Sequence, residues 1–169
     1  MPAMASKRFP VTGAVRTLRA AGVAFEPFLY DYHAGGTAEV AEALGVDEHL
    51  VIKTLILQDH QGRGLIMLMH GDRQVATGTL ARAVGVKSLQ TCDPKIAERL
   101  TGYRVGGTSP FGTRTALPIH CERSITTLPR LYINGGKRGF IVGLATSELI
   151  RVLQPVLVDA AQPIDKSSP

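Results

Sequence analysis

Residues 50–57 read LVIKTLIL, and residues 65–70 read LIMLMH. Both segments are apolar runs of strand length, and residues 59–64 between them, DHQGRG, include turn-forming types. Two apolar runs joined by a short glycine-containing turn are typical of a β-hairpin. We predict that this hairpin forms the centre of the sheet.

Helices and further strands are predicted on both sides of the hairpin. Thr12, Thr37, Asp93 and Ser147 are predicted N-caps of four helices, and most of the helices also have apolar residues at helical spacing or a glycine at the end. Pro27, inside an apolar run, favours an edge strand. The predicted helices cover residues 12–21, 37–44, 79–84, 93–100 and 147–153, and the remaining strands cover 23–30, 131–133, 140–144 and 156–158. This irregular alternation, with hairpins present, indicates an α+β domain on a mixed sheet.

Length and composition limit the number of domains and the class of protein. The 169 residues suffice for one ordinary domain, and a hydrophobic content of 44% excludes wholesale disorder. No apolar stretch approaches the length of about 18 residues that a membrane-spanning helix needs, and the N-terminus carries no visible export signal. We therefore predict one cytoplasmic domain over residues 11–160, flexible tails at 1–10 and 161–169, and no membrane partner.

The charge and the cysteines bear on partners and on chemistry. A net charge of +5 favours a polyanionic partner, because lysine and arginine neutralise phosphates. Cys92 and Cys121 make neither a disulfide framework nor a metal cluster, so we expect reduced, buried structural thiols and no metal. His120 precedes Cys121, but neighbouring residues of a strand point to opposite faces. The two therefore do not form a nucleophile and base.

Lys53 is the unusual residue of the central hairpin. Strand alternation places it on the face that it shares with Val51, Leu55 and Leu57. Burying an unpaired ammonium costs several kcal/mol. Two interpretations are therefore open: an edge lysine that reaches water, or a functional cation in a cleft that receives an anionic ligand.

Two glycine-rich segments are candidate ligand loops. Residues 106–112, GGTSPFG, have glycines at phosphate-loop spacing, but Thr113 stands where such a loop needs lysine. Glycines still let a ligand approach the backbone, so the segment is either an ordinary long turn or a loop whose N–H groups hold an oxyanion. Residues 134–139, NGGKRG, form a predicted hairpin tip whose Lys137 and Arg138 either bind phosphate or are simply solvated.

Three segments occur in order along the chain: IKTL at 52–55, TGYRVGGTSPFG at 101–112 and GGKRG at 135–139, with Asp93-Pro94 before the second. In this order and spacing they resemble the YbaK/EbsC family of aminoacyl-tRNA editing domains. The resemblance implies a curved, barrel-like mixed sheet with flanking helices. It also implies a trans-editing deacylase that removes amino acids wrongly attached to tRNA, typically tRNA(Pro), with prolyl-tRNA synthetase as a further partner, no DNA and no cofactor.

The resemblance also implies roles for individual residues. Lys53 corresponds to the essential lysine of the site, and the N–H groups of Gly106 and Gly107 stabilise the oxyanion. In cysteine-specific members the thiol of the substrate attacks its own ester, and in other members a bound water does so. The implied substrate-binding residues are Tyr30, Thr54, Thr108, Ser109, Pro110, Gly135, Gly136, Lys137 and Arg138.

Ile141 stands where cysteine-specific relatives carry an acidic residue, two positions after the last glycine of GGKRG. A more apolar pocket is expected, which leaves open whether the ester is that of cysteine or of another small amino acid. Two other functions remain as hypotheses. One is a non-catalytic tRNA-binding module associated with a synthetase, with Arg104, Lys137 and Arg138 on phosphates. The other is a protein that binds a small nucleotide or another anion.

Overall fold

Five helices and ten strands follow one another in the part of the chain that the structure, a computed structural model, describes, residues 8–165. The helices are α1 (Gly13–Ala20), α2 (Gly36–Leu44), α3 (Thr77–Val84), α4 (Pro94–Thr101) and α5 (Thr146–Leu153). The strands are β1 (Glu26–Leu29), β2 (Val51–Asp59), β3 (Gly64–His70), β4 (Arg73–Val75), β5 (Leu89–Thr91), β6 (Ile119–Glu122), β7 (Arg130–Lys137), β8 (Phe140–Ala145), β9 (Val156–Val158) and β10 (Ala161–Pro163).

The main sheet has the order β1-β8-β7-β2-β3-β6-β9, and β5 pairs with the far end of β2. The hairpin β2–β3 lies at its centre and Pro27 lies on the edge strand β1, as predicted. Antiparallel pairs stand beside the parallel pairs β2–β7, β3–β6 and β6–β9, so the sheet is mixed and the α+β prediction is confirmed. The sheet ends at β1 and β9 and is open rather than closed into a barrel.

Both faces of the central strand β3 are covered. Ile66 and Leu68 belong to the larger core, whereas Met67 and Met69 pack with α3 on the other face. All four side chains are fully buried. A strand that is buried on both faces reads as a continuous apolar run rather than an alternating one, which explains the run LIMLM.

Two helices begin at the predicted caps. The Thr12 hydroxyl accepts from the Val15 N–H at 3.1 Å, and the Asp93 carboxylate accepts from the Lys95 N–H at 2.9 Å. Thr37 and Ser147 were predicted to cap α2 and α5, and both predictions are wrong. The N-caps of these helices are Gly35 and Ala145, and the Thr37 hydroxyl instead donates to Glu48 at 2.7 Å.

The packed part of the chain extends beyond the predicted bounds of 11 and 160. Phe9 stacks on Phe140, with ring centroids 5.7 Å apart, and meets Phe25 edge to face at 5.9 Å. At the other end β10 pairs with β4, so the predicted C-terminal tail begins with a strand. The rest of the predicted tails, residues 1–7 and 166–169, lies outside the described residues. Between residues 8 and 165 no helix has the length and apolar character needed to cross a membrane.

Candidate functional site

A cavity of about 510 Å³ lies beside β2, where the sheet is incomplete. Strand β7 pairs with β2 only at Val51 and Ile52, and β5 pairs with it only from Leu57 onward. The cavity lies along the stretch of β2 between these pairings. Its other walls come from the start of α2, the junction between β5 and α4, and the loop that follows α4.

Lys53 belongs to the wall of this cavity. The side chain is partly buried and lines the wall, and its Nζ donates to the main-chain carbonyl of Arg73 at 2.5 Å. Burial lowers the pKa of Lys53 below that of an ordinary lysine, and the nearby carboxylates of Glu48 and Asp72 oppose this shift. Of the two interpretations, the geometry favours a cation in a cleft.

The glycine-rich loop contributes Gly106 and Thr108 to the cavity wall. Gly106 has φ +90°, and a Cβ there would lie 2.2 Å from the Tyr32 hydroxyl, so only glycine fits. The N–H of Gly107 already donates to the carbonyl of Arg104 at 2.8 Å, and Gly107 is buried behind the wall. The predicted pair of oxyanion donors is therefore reduced to Gly106, because a backbone donor used within its own turn is not free for a ligand.

Ser109 and Pro110 lie in the interior and not in the cavity wall. Ser109 is fully buried, and its hydroxyl accepts from the Phe111 N–H at 3.1 Å. Phe111 is itself fully buried in the larger core. These residues anchor the loop, and their placement argues against the predicted contact with substrate.

The hairpin tip of β7 and β8 holds the glycine-rich loop in place. The Asn134 side-chain amide donates to the Gly106 carbonyl at 2.9 Å, and Arg138 Nε donates to the Val105 carbonyl at 2.7 Å. The Arg138 guanidinium also lies 5.4 Å from the centre of the Tyr32 ring. Arg138 therefore connects the hairpin tip with the glycine-rich loop and with the Tyr32 ring.

The other predicted tip residues divide into two groups. Gly135 and Gly136 pack inward: a Cβ would lie 2.5 Å from the Phe140 ring at Gly135 and 2.8 Å from Tyr103 at Gly136. Lys137 is exposed and, with Arg138, lines a second depression of about 400 Å³. This depression shares Tyr30 and Tyr32 with the cavity, so a cationic surface adjoins the cavity.

Tyr30 and Thr54 lie in the cavity wall, where the resemblance placed them. Burial, followed by the charge of Glu39, raises the pKa of the Tyr30 phenol, which is therefore neutral at physiological pH. Tyr32, Asn134 and Cys92 also line the cavity, although none of them was among the substrate-binding residues that the resemblance implied. The turn-forming character of NGG at 134–136 was visible, but nothing local indicated that the Asn134 side chain reaches the glycine-rich loop.

The thiols and His120 do not form a catalytic pair. Cys121 is fully buried in the larger core, and burial raises its pKa to about 12. His120 occupies the adjacent position of β6, so its side chain points to the opposite face. Burial also raises the pKa of Cys92, and its Sγ lies 3.7 Å from the Gln58 side-chain oxygen. Both thiols are therefore protonated at neutral pH and poor nucleophiles.

We expect neither thiol of the native protein to react with a thiol-specific disulfide reagent within minutes at pH 8. Both should react at once after unfolding in denaturant, where ordinary thiol pKa values return. The release of the reagent's chromophore measures the reaction, and the Cys92→Ser variant isolates Cys121. Reaction of native Cys92→Ser at the unfolded rate would contradict the buried, protonated state of Cys121.

His49, His70 and Asp72 bring three possible metal-ligand atoms within 4.8 Å of one another. The two rings, however, are stacked 3.7 Å apart and almost parallel, at 5°. A metal binds in the plane of an imidazole ring, so two parallel stacked rings do not share one ion. Both nitrogens of His70 are also engaged, Nδ1 with the His49 carbonyl and Nε2 with the Ser124 hydroxyl, each at 2.8 Å. This cluster supports the sheet rather than forming a metal site.

Comparisons with known proteins identify the family to which this chain belongs. The sequence profile described as "Aminoacyl-tRNA editing domain" matches residues 33–152. The chain belongs to this family. The editing domain is 28% identical over 111 residues to a candidate Cys-tRNA(Pro)/Cys-tRNA(Cys) deacylase, EbsC, of Enterococcus faecalis, which covers 66% of this chain and 68% of that protein. The YbaK/EbsC resemblance is thereby confirmed.

Other relatives are larger enzymes. The editing domain is 28% identical over 137 residues to the proline–tRNA ligase of Nitratidesulfovibrio vulgaris, covering 81% of this chain and only 22% of the ligase. Among solved structures, a candidate trans-editing enzyme for prolyl-tRNA synthetase superposes with a TM-score of 0.75 at 23% identity, over 89% of this chain and 97% of the other. This last likeness supports the fold. Aminoacyl-tRNA is the class of molecule on which the family acts.

Proposed function

We propose that this editing domain acts in trans and cleaves the ester between a small, wrongly attached amino acid and tRNA(Pro). The observation that carries the proposal is the position of Lys53, a cation in the wall of a mostly apolar cavity that the side-chain-free backbone of Gly106 also lines. An aminoacyl ester has matching features: a phosphodiester, a carbonyl that becomes anionic during attack, and a small side chain.

In the proposed reaction, water attacks the ester carbonyl carbon, or the substrate's own thiol does so when the amino acid is cysteine. The bond from that carbon to the ribose oxygen breaks, and the tRNA keeps a free terminal hydroxyl. Lys53 holds the phosphate or ribose end through its charge. The N–H of Gly106 stabilises the oxyanion, to which one such donor contributes about 3 kcal/mol. A protonated, buried thiol at Cys121 has no part in this reaction.

The proposed amino acid is small, either cysteine or another of similar size. Val40, Val51 and Ile141 belong to one apolar cluster and line the cavity, and Ile141 is 2% exposed. The acidic residue of cysteine-specific relatives is absent from that wall, so the pocket selects by size rather than by charge. A synthetase pocket separates small amino acids by only about 1–3 kcal/mol per methylene, which is why such correction is needed.

The decisive experiment is a deacylation assay with tRNA(Pro) charged separately with cysteine, alanine, serine and proline. We expect rapid loss of at least one of the three mischarged esters and slow loss of prolyl-tRNA(Pro). Salt-sensitive tRNA binding without loss of any ester would instead support the non-catalytic binding module. A tightly bound small anion together with no affinity for tRNA would support the third hypothesis.

We further propose that Lys137, exposed in the depression that adjoins the cavity, contacts a phosphate of the acceptor end. Lys137→Ala should then raise KM several-fold with kcat unchanged, and the slope of log affinity against log salt should fall by about 1. The matched control is Lys87→Ala, because Lys87 is also an exposed lysine and lies before β5, outside the cavity wall. An unchanged salt slope in Lys137→Ala would remove this lysine from the interface.

The proposed partners are aminoacyl-tRNA and prolyl-tRNA synthetase. The support for the synthetase is the likeness to part of the proline–tRNA ligases, in which a corresponding segment belongs to the same chain. An editing domain that meets the mischarged product after its release would work in the cytoplasm, where translation takes place.

A further inference from the structure

The interrupted pairing of β2 leaves main-chain groups without a strand partner inside the cavity. Ile52 pairs with Ile133 of β7, and Leu57 pairs with Thr91 of β5. Between these two positions, on the side of β7 and β5, no strand within residues 8–165 pairs with β2. On its other side β2 pairs continuously with β3 from Ile52 to Gln58.

Two hydrogen bonds determine which residue of β2 faces the interruption. The Val51 carbonyl accepts from the Gly71 N–H at 2.7 Å, and therefore points to the β3 side. The Ile56 carbonyl accepts from the Cys92 N–H at 3.0 Å, and therefore points to the β5 side. Because main-chain groups alternate with a period of two along a strand, the N–H and C=O of Thr54 both point to the β5 side, into the interruption.

Thr54 also carries a side-chain group without a partner. Its hydroxyl oxygen is buried and makes no hydrogen bond to the described residues. Thr54 lies in the cavity wall. Buried polar groups are normally paired, and leaving one unpaired costs about 1–3 kcal/mol. The main-chain donor and acceptor of Thr54 therefore face the interruption without a strand partner, and the buried hydroxyl is a further unpaired polar group of the same residue.

We propose that the Thr54 edge of β2 binds the terminal adenine base of the substrate tRNA. This inference rests on the proposed function and specifies how the same site recognises its RNA. Adenine has an N6–H donor beside a ring-nitrogen acceptor on both its Watson–Crick and its Hoogsteen edge. The Thr54 carbonyl accepts from N6–H, and the Thr54 N–H donates to the ring nitrogen. Leu55, Ala97 and Val105 supply apolar surface for the faces of the base.

The shape of the interruption favours a base over a peptide strand. Both ends are closed, by the Ile133 pairing at one and by the Cys92 N–H on Ile56 at the other. Asn134, at the β7 end, uses both of its side-chain polar atoms, on the Gly106 carbonyl and the Gly136 N–H. Between these two ends Thr54 is the residue whose main-chain donor and acceptor both face the interruption. One such pair matches one edge of one base, whereas an added strand would need a longer free edge.

Measuring the affinity of the protein for non-hydrolysable substrate analogues tests adenine recognition separately from catalysis. The probes are non-hydrolysable analogues in which alanine is joined by an amide to the terminal nucleoside of a short CCA-ended RNA. That nucleoside is adenosine, purine riboside (which lacks the N6 amino group), 1-deazaadenosine or 7-deazaadenosine. We expect purine riboside to bind about tenfold more weakly than adenosine or worse, because the Thr54 carbonyl is left unpaired. One of the two deaza analogues should be weakened similarly, which identifies the edge that is read.

Two further measurements keep the result unambiguous. The Thr54 amide signal in the NMR spectrum of the isotope-labelled protein should shift with adenosine and much less with the weakened deaza analogue. Thr54→Val removes the hydroxyl and leaves the main-chain edge, so it should retain the preference for adenosine over purine riboside. Equal binding of these two analogues, or no shift at Thr54, overturns the inference even if the ester is hydrolysed. Adenosine-selective binding without hydrolysis of any ester supports it and refutes the deacylase proposal.

Discussion

Lys53→Ala is expected to lower kcat/KM for deacylation at least a hundredfold while the protein remains folded. A hundredfold loss corresponds to about 2.7 kcal/mol of transition-state stabilisation, the amount that one well-placed charged or hydrogen-bonding group supplies. The fold should tolerate the change, because the partly buried amine is bonded to one main-chain carbonyl, that of Arg73. Burial disfavours the charged form of the amine, so removing the amine should cost little free energy of unfolding. Its loss should instead be seen in ligand binding and in activity.

The measurement is a single-turnover deacylation rate with the tRNA identified by the charging panel. Thermal unfolding is followed in parallel. Lys53→Met, which keeps most of the length without the charge, should lose as much activity as Lys53→Ala, and the exposed control Lys87→Ala should lose none. If Lys53→Met retained the native rate, the side chain would act by filling space and the electrostatic role would be wrong.

The same residue predicts a pH dependence. Its pKa is lowered by burial, so the protonated amine is lost as the pH rises through a value below that of an ordinary lysine. Enzyme-catalysed deacylation, after subtraction of the spontaneous reaction of the ester, should therefore decline on the alkaline side. The decline should be absent from the residual activity of Lys53→Met.

Gly107→Ala is expected to reduce activity at least tenfold and to lower the melting temperature by several degrees. A Cβ at Gly107 would lie 2.8 Å from the Arg138 nitrogen and 2.9 Å from the Lys137 carbonyl carbon. Both are main-chain atoms, so no side-chain rotation relieves the contact, and the loop must separate from the hairpin tip. Overpacking of this kind costs about 1–3 kcal/mol, and each kcal/mol lowers the melting temperature of a chain of this size by about 2–4 °C.

The loss of activity would follow from the displacement of Gly106, which the tip holds through Asn134. Gly78→Ala is the matched control, since the new Cβ would have only the Arg82 side chain near it, at 3.8 Å, within α3. That substitution should leave activity unchanged and stabilise the helix by about 0.5–1 kcal/mol. Full activity of Gly107→Ala at native stability would show that the loop and the tip are not coupled.

Much of the framework follows from local patterns. The two long hairpins, the caps of α1 and α4, and the edge position of β1 were predicted because each depends on residues close in sequence. Strands β4, β5 and β10 were not predicted, because each has only three residues with a glutamine at the centre and therefore no apolar run. Strand β9 is equally short but reads VLV, an apolar run that the sequence does show. The wrong caps at Thr37 and Ser147 have a similar origin. A threonine or serine near a helix start indicates a cap only if its hydroxyl has no better partner, and Thr37 has one in Glu48.

Part of the candidate site was likewise predictable from the sequence, and part of it was not. Its motifs identified the family, and strand alternation marked Lys53 as an anomaly. Only the tertiary structure separated Gly106, in the wall, from Gly107, behind it, and moved Ser109 and Pro110 into the interior. The neighbours that make these distinctions are far away in sequence, such as Asn134, 28 residues beyond Gly106.

The sequence by itself determined the class of fold, the central hairpin and the family, and it marked Lys53 as the candidate site lysine, because these depend on short-range periodicity and on the order of the motifs. The tertiary structure decided which polar groups have partners. The Arg73 carbonyl reaches Lys53 across 20 residues, and the free edge at Thr54 exists because β7 and β5 stop short of each other along β2. Hydrogen-bond pairing between distant segments depends on how strands end and meet, and no local pattern of residues encodes it.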